Sequence, residues 1–233
     1  MAGVKKYFGS LRRALQSKPR HRQQLDLPKV RLGSDYGGYA VAPHLLHADS
    51  VVYSCGIGED ASFDLDLIRR FGCRVHAFDP TPRALAWVAS QPMPEQLSVY
   101  PLGLSDHDGV ASFAPPRNPR HVSHSMVRAQ QRQNADRVEF QVRRLSTLMA
   151  QLGHSRLDLL KMDIEGAEYA VIDSLALGGA CPRQLLVEFH HHLEGVAVAR
   201  TERALAQLGQ LGYRSFDCQP GGREFSFLLS SPP

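Results

Sequence analysis

Two rhythms of apolar residues alternate along the chain, and the switches between them predict an α/β fold. Val51, Val52 and Tyr53 form a short apolar run of the kind found in strands buried on both faces. From Ser62 the apolar positions fall at Phe63, Leu67, Ile68 and Phe71, a helical spacing that Gly72 ends. A second strand over Arg74 to Phe78 ends on Asp79 and Pro80. Thr81 suits a helix N-cap, and Pro82 suits the first turn of a helix through Ala89. Strands are predicted over Leu97 to Leu104, Gly109 to Phe113 and Val138 to Val142, and Ser146 is expected to cap a short helix to Leu152. Leu157 to Met162 is an apolar strand, broken only by Lys161, that ends at Asp163; after a turn a helix runs to about Leu177. Gln184 to Phe189 leads into His190-His191-His192, and a helix from Val196 to Leu211 stops at Gly212. Tyr213 to Asp217 and Glu224 to Leu229 flank Gln219-Pro220-Gly221-Gly222, which predicts an antiparallel hairpin. Strand–helix units in succession require a parallel sheet covered on both faces.

Less regular stretches surround this frame. Residues 1–29 are expected to form a tail outside a domain spanning residues 30–233. Val4, Phe8, Leu11 and Leu15 lie at helical spacing among basic residues. That helix either rests weakly on an anionic membrane surface or a partner, or docks on its own domain as a partly ordered tail. Lys18 to Lys29 reads as a polar linker. Gly37-Gly38-Tyr39 is a flexible turn whose aromatic either lies over a bound cofactor or simply leads into the sheet. Pro115 to Ser125 is a long basic loop, read as a lid or as a solvated connection.

Composition narrows the class. With 233 residues, 43% apolar and 21% charged, the chain is globular and long enough for a full core. No apolar run approaches the roughly 20 residues needed to cross a bilayer. The early residues lack a signal-peptide core, so a cytoplasmic location is expected. Cys55, Cys73, Cys181 and Cys218 are scattered, which argues for thiols and against a zinc or disulfide framework. Of the 27 basic side chains seven lie in residues 1–25, leaving 20 against 23 acidic ones, so the body is slightly acidic. A nucleic-acid partner is not expected.

The stretch Val51 to Pro80 carries the chemistry. Gly56 and Gly58 allow a tight turn and close approach to a ligand. Asp79, at the tip of the second strand, stands where an acid holds ribose hydroxyls. Gly56-Ile57-Gly58-Glu59-Asp60-Ala61 also satisfies the dinucleotide pattern, which keeps a nicotinamide-dependent oxidoreductase as an alternative. Glu59 and Asp60, however, would repel a pyrophosphate at the helix N-terminus. They would instead favour the α-ammonium and sulfonium of S-adenosylmethionine.

Taken together, V-Y-S-C-G-I-G-E-D-A-S-F-D, V-H-A-F-D-P and L-D-L-L-K-M-D-I-E-G-A-E resemble the FkbM family of class I methyltransferases, and R-L-G-S-D-Y-G-G-Y-A-V resembles a segment of one branch. The resemblance covers roughly residues 30–230. It implies a Rossmann-like sandwich with a seven-stranded, mostly parallel sheet and a C-terminal antiparallel hairpin. It also implies S-adenosylmethionine as cofactor and O-methylation of a hydroxyl on a sugar, glycan or natural-product acceptor. One departure is Ser54, where the family often has an acid at the end of the first strand; that carboxylate's work is expected to move to Glu59 or Asp60. A module that binds the cofactor without turnover is a further alternative.

Ligands of open α/β sheets lie outside the carboxyl ends of the strands. The expected cofactor contacts are therefore Tyr39, Ser54, Gly56, Gly58, Glu59 or Asp60 for the ammonium, Asp79 for the ribose, Leu104, Ser105 and Asp106 for adenine, and Asp163. Asp163, Glu165 and His190 are the catalytic candidates, with His190 as general base, or else as an ordinary polar residue opening a solvated turn. Glu168 is read as stabilising a helix N-terminus. No metal is expected: Asp163, Glu188 and His190 could share an ion, but no recognisable spacing completes its shell.

Overall fold

A computed structural model of the chain describes residues 18–114, 137–177, 180–193 and 196–230. The helix expected over residues 4–15 and the loop from 115 to 125 lie outside the described residues. Strands are β1 (Val30–Leu32), β2 (Tyr39–Val41), β3 (Val51–Cys55), β4 (Arg74–Phe78), β5 (Leu97–Tyr100), β6 (Gly103–Leu104), β7 (Gly109–Phe113), β8 (Val138–Arg143), β9 (Leu159–Met162), β10 (Gln184–Glu188), β11 (Tyr213–Cys218) and β12 (Glu224–Leu229). Helices are α1 (Ser62–Phe71), α2 (Pro82–Ala89), α3 (Leu145–Gln151), α4 (Glu168–Ala176) and α5 (Val198–Gln210).

The main sheet has seven strands in the order β11-β12-β10-β9-β3-β4-β5. β12 runs antiparallel to both neighbours, while β10-β9-β3-β4-β5 are parallel. From β3 the chain steps outward through β4 to β5, then returns to β9 on the other side of β3. The carboxyl ends of β3 and β9 are thus a topological switch point, where diverging connections leave a crevice.

The period-2 alternation of the central strands divides the core. Tyr53, Cys55, Leu160, Met162, Leu185 and Val187 face one apolar cluster, with α3, α4 and α5. Val52, Leu159 and Leu186 face the other, with α1 and the β1–β2 ribbon. A buried side chain on each of two strands holds that ribbon to the sheet. Gln184 Oε1 accepts from Ala42 N at 2.8 Å, and its Nε2 donates to Ala42 O at 3.3 Å. Ser226 Oγ donates to Ala40 O at 2.8 Å.

Three expectations are corrected here. The strand over Leu97 to Leu104 divides at Pro101, which has no N–H for the ladder; β6 joins β8 and β7 in a separate three-stranded sheet. Ser146 is not a cap: α3 begins at Leu145 with Arg144 before it. The linker is also no free tether. Gln24 N and Leu25 N both donate to Ser215 O at 2.9 Å, His21 Nε2 meets Ser215 Oγ at 2.7 Å, and Lys29 pairs with Asp217 at 2.7 Å. This segment covers the edge strand β11 where a bulge between Ser215 and Asp217 interrupts pairing. Among the described residues no helix is long and apolar enough to cross a membrane.

Gln184 is fully buried, so Gln184→Leu strands the amide and carbonyl of Ala42 without partners. The substitution is expected to lower stability by roughly 2–4 kcal/mol in urea denaturation, and an unchanged midpoint would show that the ribbon does not depend on this clamp.

Candidate active site at the switch point

β3 and β9 meet so closely that the glycine after β3 is obligatory. Gly56 sits at φ +83°, and a Cβ there would lie 1.8 Å from the Asp163 carbonyl oxygen. Its neighbours secure the contact: Asp163 N donates to Cys55 O at 3.0 Å, Gly56 N to Phe78 O at 2.9 Å, and Lys161 Nζ to Gly56 O at 2.7 Å. Lys161 is 4% exposed and also lies 5.6 Å from the Tyr39 ring centroid. The apparent flaw in an apolar strand is therefore the tether of the glycine turn.

Asp79 braces the same turn from β4. Its Oδ2 accepts from Gly58 N at 3.0 Å, and its Oδ1 accepts from the backbone N and hydroxyl of Thr81 at 2.9 and 2.6 Å. Thr81 does precede α2, but its hydroxyl serves Asp79 and makes no cap.

The acids expected to meet the cofactor's ammonium have other partners. Glu59 pairs with Arg83 through both oxygens, at 2.9 and 2.8 Å. Asp60 accepts from Ser34 Oγ at 2.5 Å and from Ser62 N at 2.8 Å, joining the start of α1 to the turn after β1. Beside Ser54 stands an acid the sequence reading missed. Asp64, on the buried face of α1, is 1% exposed, and among the described residues neither its oxygens nor Ser54 Oγ meets a partner at full hydrogen-bond geometry. Burial raises the Asp64 pKa, opposed by the charge of Lys161 and by the nearby Ser54 hydroxyl. The signal was an acid at i+1 of Phe63 on a helix face that is otherwise apolar.

Tyr39 is core, 3% exposed and packed edge-on to Phe63 at 5.7 Å. The aromatic that reaches the crevice is Tyr36, 86% exposed. Desolvation raises its pKa first, and then the fields of Asp163, Glu188, Glu165 and Asp60 raise it further. Leu104 is buried in the same cluster as Cys55 and Phe78. The Ser105 hydroxyl bonds Asp106 at 3.0 Å, and Asp106 is held below the usual carboxylate range, chiefly by its bond to His107.

Across the crevice the ends of β9 and β10 bring Asp163, Glu165 and His190 together. His190 Nε2 lies 3.5 Å from Asp163 Oδ1 and 3.8 Å from Glu165 Oε2. Glu168, with no exposed surface, holds the other side of the ring. Its Oε1 accepts from His190 N at 2.9 Å and lies 3.3 Å from Nδ1, while its Oε2 accepts from Gly166 N at 2.8 Å. Glu168 does serve its helix N-terminus as expected, and it also clamps the histidine. Burial acts to lower the His190 pKa, but Glu168, Glu165 and Asp163 outweigh it and raise the value to about 10. These acids favour the protonated ring, which weighs against the expected general-base role and towards a positioning one. Burial raises Glu188 to about 7, helped by the charge of Asp163. The trio that could share an ion is Asp163, Glu165 and His190, with Glu165 in place of the expected Glu188.

The chain matches the methyltransferase FkbM domain over residues 52–215. It belongs to the FkbM methyltransferase family. Probable methyltransferase-like protein 24 of Rattus norvegicus is 28% identical over 160 residues, which is 67% of this chain and 37% of that protein. The same-named protein of Homo sapiens is 27% identical over 162 residues, with the same coverage. The chain thus spans well under half the length of these curated relatives. Among solved structures, methyltransferase FkbM from Methylobacillus flagellatus KT is similar with a TM-score of 0.45 and 14% identity, over 78% of this chain and 43% of that one.

The FkbM assignment makes S-adenosylmethionine the cofactor and removes the oxidoreductase alternative. The residues present fit it: a left-handed glycine turn at the end of β3, a carboxylate at the tip of β4, and acids beside the turn where a pyrophosphate would need donors. Gly56→Ala combines a left-handed backbone, costing an L-residue about 1–2 kcal/mol, with the clash against Asp163. Calorimetry with S-adenosylhomocysteine is expected to show affinity reduced more than about tenfold, the equivalent of 1.4 kcal/mol; wild-type affinity would mean the turn lies outside the cofactor site.

Proposed function

We propose that this FkbM domain methylates a hydroxyl oxygen of a sugar, glycan or natural-product acceptor. The observation that carries the reading is the pair of carboxylates, Asp163 and Glu165, opening onto the crevice beside the glycine turn, with side chains 29% and 20% exposed. An acidic rim suits a neutral acceptor that must surrender a proton, and it disfavours a polyanion such as nucleic acid.

When bound, S-adenosylmethionine supplies a sulfonium methyl carbon that is already electrophilic. Gly56 and Gly58 shape the turn that takes the methionine part, with open space at Gly58 where a Cβ would stand. Asp79 keeps lone-pair capacity for ribose hydroxyls beyond its three bonds within the chain. Leu104 and Ser105 flank adenine, with Asp106 for its amino group. Asp163 orients the acceptor hydroxyl and takes up its proton. His190, 3.5 Å from Asp163 through Nε2, holds that carboxylate in place as a positioning residue. Tyr36 closes over the acceptor from the β1–β2 turn and helps to exclude water.

Asp163→Asn is expected to slow turnover by about 10²–10⁴-fold, the range for a positioned proton acceptor, with S-adenosylhomocysteine affinity nearly unchanged. The assay follows S-adenosylhomocysteine release across a panel of polyhydroxyl acceptors and locates the methyl group by mass spectrometry. A methyl group on nitrogen would overturn the O-methylation reading. Cofactor binding without turnover on any acceptor would favour the non-catalytic module.

A further inference from the structure

The trio of Asp163, Glu165 and His190 does more than position an acceptor. Each residue offers one donor atom, and the three atoms lie within 4.8 Å of one another. On the far side of the imidazole, Glu168 faces Nδ1 at 3.3 Å and also holds the His190 backbone N at 2.9 Å. A carboxylate on one ring nitrogen is the arrangement that orients the other as a metal donor. That other nitrogen, Nε2, is aimed at two carboxylate oxygens at 3.5 and 3.8 Å, both beyond hydrogen-bond length. Ligands held at ~2.1 Å by one octahedral ion stand about 3 Å apart in adjacent positions, so donor atoms already within 4.8 Å of one another need to close by at most about 2 Å to share a single ion.

We propose that Asp163, Glu165 and His190 bind one divalent cation at the carboxyl ends of β9 and β10, the ion displacing the proton from His190 Nε2. Two hard oxygen donors with one imidazole suit Mn²⁺ best, with Mg²⁺ as its competitor. The backbone is arranged for this purpose. Asp163 follows directly on β9, His190 follows β10 after Phe189, and Glu165, at φ 53°, is the one described non-glycine residue with a positive φ. That turn leaves a Glu165 carboxylate oxygen within 4.8 Å of one of Asp163. His190, 2% exposed, forms the floor, while the two carboxylates reach the crevice. Protein donors on one side leave coordination positions open for water or substrate, as in ion sites that take part in reactions. If the methyl-transfer reading holds, those positions would take two oxygens on neighbouring carbons of the acceptor, which makes a vicinal diol the preferred substrate class. The ion itself does not rest on that reading.

The test titrates the full chain with Mn²⁺, following the paramagnetic signal of the free ion, with S-adenosylhomocysteine binding measured on the same preparation. One saturable site is expected, with a dissociation constant below about 0.1 mM. Glu165→Gln should weaken it at least about tenfold, as loss of a charged ligand does, and Asp163→Asn combined with Glu165→Gln should abolish it. Thermal melts without metal show whether each variant is folded, and Asp163→Asn alone serves if the double variant is not. No uptake by a folded wild type, or undiminished uptake by a folded variant, would overturn the site. Cofactor binding without Mn²⁺ binding would reject the ion alone; Mn²⁺ binding without cofactor binding would leave the ion standing and reject the methyl-donor reading.

Discussion

The contact on which the rest depends is the one between the backbone of Gly56 and the carbonyl of Asp163. It presses the ends of β3 and β9 together at the point where the chain reverses its direction across the sheet. With no room for a side chain, the turn after β3 must show its backbone to the crevice. Asp163, pinned through its own N–H to Cys55 O, must send its carboxylate the other way. One steric constraint thereby divides the crevice: main chain on the β3 side, side chains on the β9 side.

Buried charge supports this contact from both faces of the sheet. On the α1 face, Lys161 holds Gly56 O, with Asp64 and Asp60 in its field. On the α4 face, Glu168 holds His190 against Asp163 and Glu165. Burial alone would raise the pKa of Glu168, yet the charge and hydrogen bonds of His190 draw it below its usual value. Buried ion pairs rarely stabilise a fold more than apolar packing of the same volume would. Their concentration at two adjacent strand ends points to positioning of the site and not to stability as their use.

The strands, the closing hairpin and the glycine turn were legible because each follows from local chemistry: apolar runs, a two-period alternation, a glycine where a Cβ has no place. The acids were legible as acids but not as partners. Nothing near Glu59 announces Arg83, and nothing near Asp60 announces Ser34; both pairings exist because the β1–β2 ribbon and α2 converge on one turn. Asp64 stands beside Ser54 from a position ten residues on, which is visible only once α1 is laid against β3. Tyr39 takes the second of its two expected roles because β2 begins there and turns its ring inward toward Phe63. Pro101 was legible and overlooked: a strand written through a proline should have been divided.

The cover over β11 has a consequence for the order in which the molecule assembles. His21 and Ser215 are 194 positions apart, and the bonds from Gln24 and Leu25 reach the same strand. Such contacts can form only after nearly all of the intervening chain exists, and loops of that length close at a large entropic cost. During synthesis the segment around His21 therefore emerges early and waits, while the half-sheet from β3 to β5 can already pair. The last edge of the sheet is sealed by the oldest part of the described chain, so completion of the fold is a ring closure and not a simple progression from one end to the other.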